Sequence, residues 1–220
     1  MLNGGILQEI HRRITRLWGY MFEAIFPPRC VICGTLGEYI CHRHQDFQPP
    51  RTIESPEYLD GIFAVATYTD PLVPPIIERF KYKGLRGMGQ ILGKKMVQVI
   101  PKNVPNNAVI VPIPLHWTRK IWRGYNQSEI LAKTISNEVH IPFMPLIRKQ
   151  KSTKQQATLT SRERIKNVED VFYVVKNSEI PKVVLLVDDV YTTGATMNSA
   201  AKVLKNAGVS RVYGLCFATS

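Results

Sequence analysis

Two adjacent acids followed by small and hydroxyl-bearing residues form the stretch of sequence best suited to chemistry. The apolar segment 183–187, VVLLV, leads into Asp188 and Asp189, and YTTGAT follows. An unpaired buried carboxylate is costly, so we expect both acids at the exposed end of a strand. Hydroxyl groups, a glycine that permits close backbone approach and the start of a helix near Ala195 together predict a phosphate site. Its candidate residues are Asp188, Asp189, Thr192, Thr193, Gly194, Ala195 and Thr196.

The two carboxylates suit the neighbouring hydroxyls of a ribose, either directly or through Mg²⁺. A sugar diol beside a phosphate predicts a ribose 5-phosphate as the ligand. The alternative is a solvated acidic turn in which the threonines merely cap a helix.

A second group of reactive side chains lies near the N-terminus. Cys30 and Cys33 form a C-x2-C pair, and Cys41 and His44 form a C-x2-H pair after seven residues. Two close pairs are typical of a tetrahedral structural zinc site. His42 is the competing fourth ligand, although it is the sequence neighbour of Cys41. Disulfides are the other alternative, but they would leave one clustered thiol unpaired.

The remaining sequence indicates how these groups are positioned. Apolar strand-like and helical segments alternate after about residue 58, which predicts an α/β domain with a mostly parallel sheet. We expect an amphipathic N-terminal helix at 1–28, a zinc knuckle at 29–50, a linker at 51–60 and the α/β domain at 61–220. The N-terminal helix packs on its own protein or, alternatively, binds a membrane surface or a partner. No apolar stretch approaches the length of a membrane span, and the N-terminus lacks the unbroken apolar core of a signal peptide.

The charge of the chain favours polyanionic partners. Its 29 Lys and Arg against 17 Asp and Glu give a formal net charge of +12, which suits phosphates, nucleic acid or an anionic membrane. No G-x-G-x-x-G follows a strand, so a dinucleotide-binding domain is not expected. The segment GQILGKK likewise lacks the pattern of a nucleotide-binding P-loop.

Several segments resemble known families. Four apolar residues, two acids and T-G-x-T resemble the phosphoribosyl pyrophosphate (PRPP) motif of type I phosphoribosyltransferases. PPRCVICG, FKYKG, VPIPLHWTRKIWRGYNQSEILA and QATLTSRERIKNVEDVF are similar to the ComF/GntX family, which is associated with natural competence. The resemblance runs from about Phe26 to Ala218 and implies a type I phosphoribosyltransferase-like fold, with helices on both faces of the sheet. His44 stands where a fourth cysteine is commoner in that family.

The resemblance also implies roles for two further segments. VPIPLH would contact pyrophosphate, and the basic stretch from Arg148 to Lys166 corresponds to a mobile loop that closes over PRPP. Solvated basic surface is the alternative for both, and Asn126 could serve only as a helix cap. The candidates for this side of the ligand are Pro114, Arg119, Lys120, Arg123, Asn126, Gln127, Gln156 and Arg164.

Basic and aromatic residues alternate in ERFKYKGLRG, a pattern that suits single-stranded DNA because bases stack while cations follow phosphates. The candidates are Arg79, Lys81, Tyr82, Lys83 and Arg86. Phe80 could equally lie in the core and Tyr82 could be an ordinary surface aromatic. Trp117, Trp122 and Tyr125 carry the same ambiguity.

Two functions fit these features. One is a protein that binds PRPP, or a related phosphorylated sugar, and handles internalised single-stranded DNA in natural transformation. The other is an active phosphoribosyltransferase that moves ribose 5-phosphate from PRPP, with Mg²⁺, to an acceptor. The resemblance implies a cytoplasmic protein, in contact with a membrane in one alternative, and a helicase-like ATPase of the uptake machinery as a partner.

Overall fold

The protein is described here from a computed structural model that covers residues 27–50, 53–82, 87–102, 104–105, 107–115, 121–149, 172–176 and 178–220. The chain divides into two compact units, residues 1–45 and 46–220. In the first unit, Arg29 and Leu36 form an antiparallel bridge, and His42–His44 form a single 3₁₀ turn.

A four-stranded parallel sheet is the centre of the second unit. Its strands are β1 (Gly61–Thr67), β2 (Val109–Pro112), β5 (Val183–Tyr191) and β6 (Arg211–Thr219), in the order β1-β6-β5-β2. A separate antiparallel pair consists of β3 (Ile147–Lys149) and β4 (Phe172–Val174). The predicted parallel α/β fold is therefore confirmed.

One prediction about the central strand is wrong. Both aspartates lie within β5, which continues to Tyr191, and Asp189 is buried. The strand extends this far because β6 continues to pair with it, with Val190 opposite Ala218 and Tyr191 opposite Thr219. The acids therefore occupy the covered end of the sheet.

Four helices are described over their full length in this unit, and the last three of them contact the sheet. The four helices are α1 (Val73–Tyr82), α2 (Met88–Val97), α3 (Gln127–Val139) and α4 (Ala195–Asn206). Met197, Ala200 and Leu204 of α4 share a core with Val184 and Leu186 of β5. Side chains alternate along a strand, so Leu185 and Val187 face the opposite side, where α3 contacts the sheet. Helices thus cover both faces, as predicted.

Helices α2 and α3 approach closely through two glycines. A Cβ on Gly89 would overlap the Ile130 side chain, and one on Gly93 would lie 2.7 Å from Thr134 Cγ2. This packing fixes α3, whose first turn carries Gln127 and Ser128 towards the acidic end of β5. Within the described part of the chain, no helix is both long enough and apolar enough to cross a membrane.

Candidate ligand site and metal cluster

The acidic pair at the end of β5 is held by two helices. Ser128, in the first turn of α3, donates its hydroxyl to Asp188 Oδ1 at 2.8 Å, and the Asp189 N–H donates to the same oxygen at 2.9 Å. Asp189 forms an ion pair with Lys81 of α1, in which Nζ and Oδ1 are 3.2 Å apart. The Lys81 and Asp189 side chains are 22% and 10% exposed, so the pair is largely withdrawn from water.

The environment makes this pair reluctant to carry two negative charges. Burial and, less strongly, the neighbouring Asp189 raise the pKa of Asp188, while the Ser128 hydroxyl opposes the shift. Together these effects give a pKa of about 7. Burial also raises the pKa of Asp189, against the charges of Lys81 and Arg123. A divalent cation or the hydroxyls of a sugar would supply the stabilisation that the ionised pair lacks.

The loop after β5 has the features of an anion site. Thr192, Thr193 and Thr196 are exposed, and α4 begins at Ala195, whose N–H donates to the Thr193 hydroxyl at 3.5 Å. The first turn of a helix presents N–H groups that have no partner within the helix. Gly194 has a φ of +74°, and a Cβ there would overlap the Tyr191 hydroxyl and lie 2.8 Å from Cζ. Tyr191 donates that hydroxyl to the Glu54 carbonyl at 3.2 Å. A glycine is therefore required at 194 for both conformation and space.

The segment before α3 connects β2 with the end of α1. Asn126 occupies the N-cap position of α3 without a side-chain capping bond; its amide instead donates to the Ile113 carbonyl at 3.0 Å. Gln127 donates to the Lys81 carbonyl at 3.4 Å and accepts from Arg123 Nη1 at 3.2 Å. The buried Arg123 Nε has no hydrogen-bond partner among the described residues.

The sequence candidates on this side of the ligand fall into two groups. Pro114 is half-buried just after β2, and Arg123, Asn126 and Gln127 lie in the network described above. The other predicted contacts lie outside the described residues; they are Arg119, Lys120, Gln156 and Arg164.

The predicted nucleic-acid segment divides by burial. Phe80 is fully buried, so it belongs to the core, while Arg79 is exposed and Tyr82 is 50% exposed. Lys81 is engaged with Asp189, and Tyr125 is buried with its hydroxyl donated to the Phe80 carbonyl. Lys83, Arg86 and Trp117 lie outside the described residues.

Sequence reasoning misses three contacts of this site. Ser128 and Asp188 meet although they are 60 residues apart in the chain. Lys81 is predicted from sequence to belong to a nucleic-acid surface, whereas it neutralises Asp189. The third contact is the Gln127 bridge from Arg123 to Lys81. The sequence offers one signal for the Ser128 contact. Ser128 lies in the first turn of α3, which follows β2 in the chain, and β2 and β5 end at the same edge of the sheet.

The cysteine and histidine side chains of the first unit converge. One ligand atom from each of Cys30, Cys33, Cys41 and His44 lies within 4.8 Å of the others. Cys33 Sγ is 3.8 Å from Cys41 Sγ, and Cys30 Sγ is 3.5 Å from His44 Nδ1. Zinc–sulfur bonds of about 2.3 Å in a tetrahedron require sulfur–sulfur separations of about 3.8 Å. The cluster therefore fits a zinc module.

The chemistry of these groups agrees with that fit. All three clustered cysteines are free thiols, and the 3₁₀ turn presents His44 rather than the exposed His42 to them. Burial tends to raise the pKa of Cys30, but hydrogen bonds from the backbone of Cys41, Cys33 and Ile32 lower it to about 7. The Thr35 hydroxyl and N–H lower the pKa of Cys33. Burial and the neighbouring thiols of Cys30 and Cys33 instead raise the pKa of Cys41. The thiolate, the form that binds metals, is thus favoured at Cys30 and Cys33.

Comparison with known proteins matches part of the second unit to a family model. The family model for the phosphoribosyl transferase domain matches residues 125–219, from the start of α3 to the end of β6. Solved structures align weakly. The allosteric regulatory enzyme of purine biosynthesis gives a TM-score of 0.45 at 17% identity, over 63% of this chain and 29% of that chain. Hypoxanthine phosphoribosyl transferase of Trypanosoma cruzi gives 0.37 at 14%, over 64% and 67%.

Curated relatives match more of the chain. Competence protein F of Haemophilus influenzae is 28% identical over 198 residues, 86% of this chain and 84% of that protein. Competence protein ComFC of Bacillus subtilis is 32% identical over 66% of this chain and 58% of that protein. DNA utilization protein YhgH of Escherichia coli is 26% identical over 84% and 83%. The chain is thus a homologue of Competence protein F, ComFC and YhgH that carries a type I phosphoribosyltransferase domain.

Proposed function

We propose that the protein binds PRPP, with Mg²⁺, at the end of β5. The observation that carries this proposal is the Asp188–Asp189 pair, half-buried and buried respectively, placed shortly before a loop with exposed threonines and a glycine at a helix N-terminus. The carboxylates would hold the ribose hydroxyls, directly or through Mg²⁺. The loop from Thr192 to Thr196 would hold the 5-phosphate through hydroxyls and N–H groups.

The pyrophosphate side of the ligand would meet basic groups. Arg123 is already near Asp189, where its charge opposes the rise in the pKa of that carboxyl, and its Nε donor has no partner among the described residues. The other proposed contacts on this side are Pro114, Arg119, Lys120, Asn126, Gln127, Gln156 and Arg164. Arginine suits phosphate because its donors form a planar fork.

The test is calorimetric titration of PRPP with Mg²⁺ into the wild type and into the Asp188→Asn, Asp189→Asn double variant. Two charged contacts at about 1.5–3 kcal/mol each predict at least about a 100-fold weaker affinity. Glu138→Gln is the matched control, because Glu138 is a partly exposed acid paired with Lys94. Equal binding by the double variant and the wild type would overturn the proposal.

Ligand binding should also depend on pH. Since the pKa of Asp188 is about 7, the carboxylate that the ligand needs is lost as the pH falls below that value. Affinity is therefore expected to fall progressively below pH 7. Pyrophosphate release in the presence of nucleobase or amine acceptors then distinguishes a transferase from a binding protein.

We further propose a role in natural transformation, in the handling of internalised single-stranded DNA. The proposal is supported by the names of the relatives, two competence proteins and a DNA utilization protein, and by the net charge of +12. If basic side chains track the phosphates, the affinity for a single strand falls steeply with salt. Salt-independent binding would contradict this role.

The proposed metal of the first unit is a structural zinc ion held by Cys30, Cys33, Cys41 and His44. All four positions of a tetrahedral zinc would then be filled by protein, which stabilises the unit and leaves no position for a substrate.

A further inference from the structure

The surface beside the acidic pair carries large aromatic side chains that face water. Trp122 is 74% exposed and Tyr82 is 50% exposed. Their rings are in contact edge to face, with centroids 5.7 Å apart at an angle of 63°. An indole with this exposure presents most of its surface to a partner, and contiguous exposed apolar surface commonly marks a binding site.

Contacts within the protein hold these rings in place. Arg123 lies over the Tyr82 ring, 4.9 Å from its centroid, and donates Nη2 to the Tyr82 hydroxyl at 3.2 Å. The same guanidinium donates Nη1 to Gln127 in α3. Arg123 thus joins the end of α1 to the start of α3. We call Tyr82, Trp122 and Arg123 the aromatic platform.

Basic side chains accompany the rings among the described residues, and more follow in the adjoining sequence. Arg123 belongs to the platform, and the last turn of α1 supplies the exposed Arg79. In the sequence, Lys83 and Arg86 follow Tyr82, and Arg119 and Lys120 precede Trp122. Aromatic rings among cations suit a chain in which flat bases alternate with phosphates, because bases stack while cations follow the backbone.

We propose that the aromatic platform binds single-stranded DNA, with one or two bases stacked on Trp122 and Tyr82 and a phosphate held by Arg123. This inference rests on the DNA-handling role proposed above, to which it gives a location. The platform differs from the surface expected from sequence. Phe80 is in the core and Lys81 is ion-paired with Asp189. The ring that packs against Tyr82 is that of Trp122, 40 residues further along the chain.

Base stacking can be separated from electrostatic attraction by experiment. A fluorescein-labelled oligo-dT and a strand of equal length with abasic sites are titrated into the full-length wild type, Trp122→Ala and Trp122→Phe at several salt concentrations. Stacking contributes about 1–3 kcal/mol per base, so Trp122→Ala should bind oligo-dT roughly 5- to 150-fold more weakly. The slope of log affinity against log salt should stay unchanged because no charge is removed.

The remaining arms test the same contact from the other side. The wild type should lose at least as much affinity on the abasic strand as Trp122→Ala loses on oligo-dT. The change from oligo-dT to the abasic strand should cost the variant less than it costs the wild type, because the contact with the Trp122 ring is already gone. Trp122→Phe, which keeps a ring, should recover much of the binding. Tyr173→Ala removes a 46% exposed aromatic on β4 and serves as the matched control, with wild-type affinity expected.

Each other result has a definite meaning. Equal affinity of wild type and Trp122→Ala for oligo-dT, or of the wild type for both strands, overturns the platform and leaves the DNA role standing on charge alone. No strand binding by the wild type at low salt overturns both the platform and the DNA role. PRPP titration into Trp122→Ala, expected to match the wild type, shows that a loss of DNA binding does not arise from a damaged fold.

Discussion

At the scale of single residues, the acidic pair is an unfavourable arrangement that the fold nevertheless maintains. Asp188 is half-buried and the adjacent Asp189 is buried, and only Lys81 forms an ion pair with them among the described residues. Such pairs are typical of functional sites, because a protein would otherwise replace them by apolar or single charged residues. The pair is therefore better explained by a ligand than by stability.

Replacing Asp188 by Asn should stabilise the protein. The pKa of Asp188 is about 7 in the fold, against an ordinary value of 3.8 for an aspartate. The folded state holds the Asp188 proton more tightly than the unfolded state. The contribution of Asp188 to stability is therefore highest below about pH 4, falls as the pH rises to about 7 and is constant above that value. The amide oxygen can still accept from Ser128 and from the Asp189 N–H. We expect a gain on the order of 4 kcal/mol in the free energy of unfolding above pH 7, with none below pH 4.

Chemical denaturation of both proteins across this pH range measures the effect. Asp189→Asn is the informative comparison, because it removes the partner of the half-buried Lys81 ammonium and should gain less. If the wild type and Asp188→Asn show parallel stability profiles, Asp188 does not titrate in the fold as described. The stabilised variant is expected to bind PRPP more weakly than the wild type.

The residues of this site differ in how far sequence could identify them. Five residues of the site lie within one seven-residue segment, so the sequence alone indicates their chemistry; they are Asp188, Asp189, Thr192, Thr193 and Gly194. Lys81 lies 108 residues from Asp189, and a single sequence contains no information about which cation meets which acid. The same holds for the fourth residue of the metal cluster, where His42 and His44 differ only in the 3₁₀ turn that presents one of them.

At the scale of elements, the site depends on how β5 passes into α4. The type and order of the elements follow from hydrophobic periodicity, and the prolines at positions 74 and 75 lie in the first turn of α1, where proline is tolerated. The end of β5 is not predictable in the same way. A strand ends where its neighbour ceases to pair with it, and β6 supplies partners as far as Thr219.

Gly194→Ala should disrupt this transition. Both Gly194, with φ +74°, and Gly208, with φ +106°, occupy the left-handed region, but only at Gly194 would a Cβ collide with Tyr191. Alanine at either position costs about 1–2 kcal/mol through its backbone conformation. We expect Gly194→Ala to lose about 1–3 kcal/mol more through overpacking.

Gly208→Ala is thus a control that isolates the collision from the effect of backbone conformation. Thermal or chemical denaturation measures stability, and PRPP titration measures the affinity of the loop from Thr192 to Thr196 for its ligand. Moving Tyr191 breaks its bond to the Glu54 carbonyl and displaces the phosphate loop, so only Gly194→Ala should weaken PRPP binding. Equal losses of stability and equal affinities in the two variants would show that Tyr191 yields without moving the loop.

At the scale of the whole molecule, the two compact units have different sources of stability. The second unit has a sheet covered on both faces by helices and a large apolar core. Among the described residues of the first unit, only Cys30, Ile40 and Cys41 are buried apolar side chains. A module this small requires a metal or other covalent support to remain folded, because it cannot bury enough surface.

Removal of zinc should therefore unfold the first unit alone. The wild type is expected to contain one zinc ion, and His44→Ala should lose it readily to a chelator. His42→Ala should retain it, because His42 is exposed and outside the cluster.

Metal analysis after dialysis against chelator gives the zinc content, and hydrogen exchange locates the unfolding. We expect amides of residues 30–44 to lose protection while β5 and β6 keep theirs, because no metal-binding cluster is found among the described residues of that sheet. Equal zinc retention by the two histidine variants would exclude His44 as the fourth ligand, and loss of protection in both units would show that they fold together.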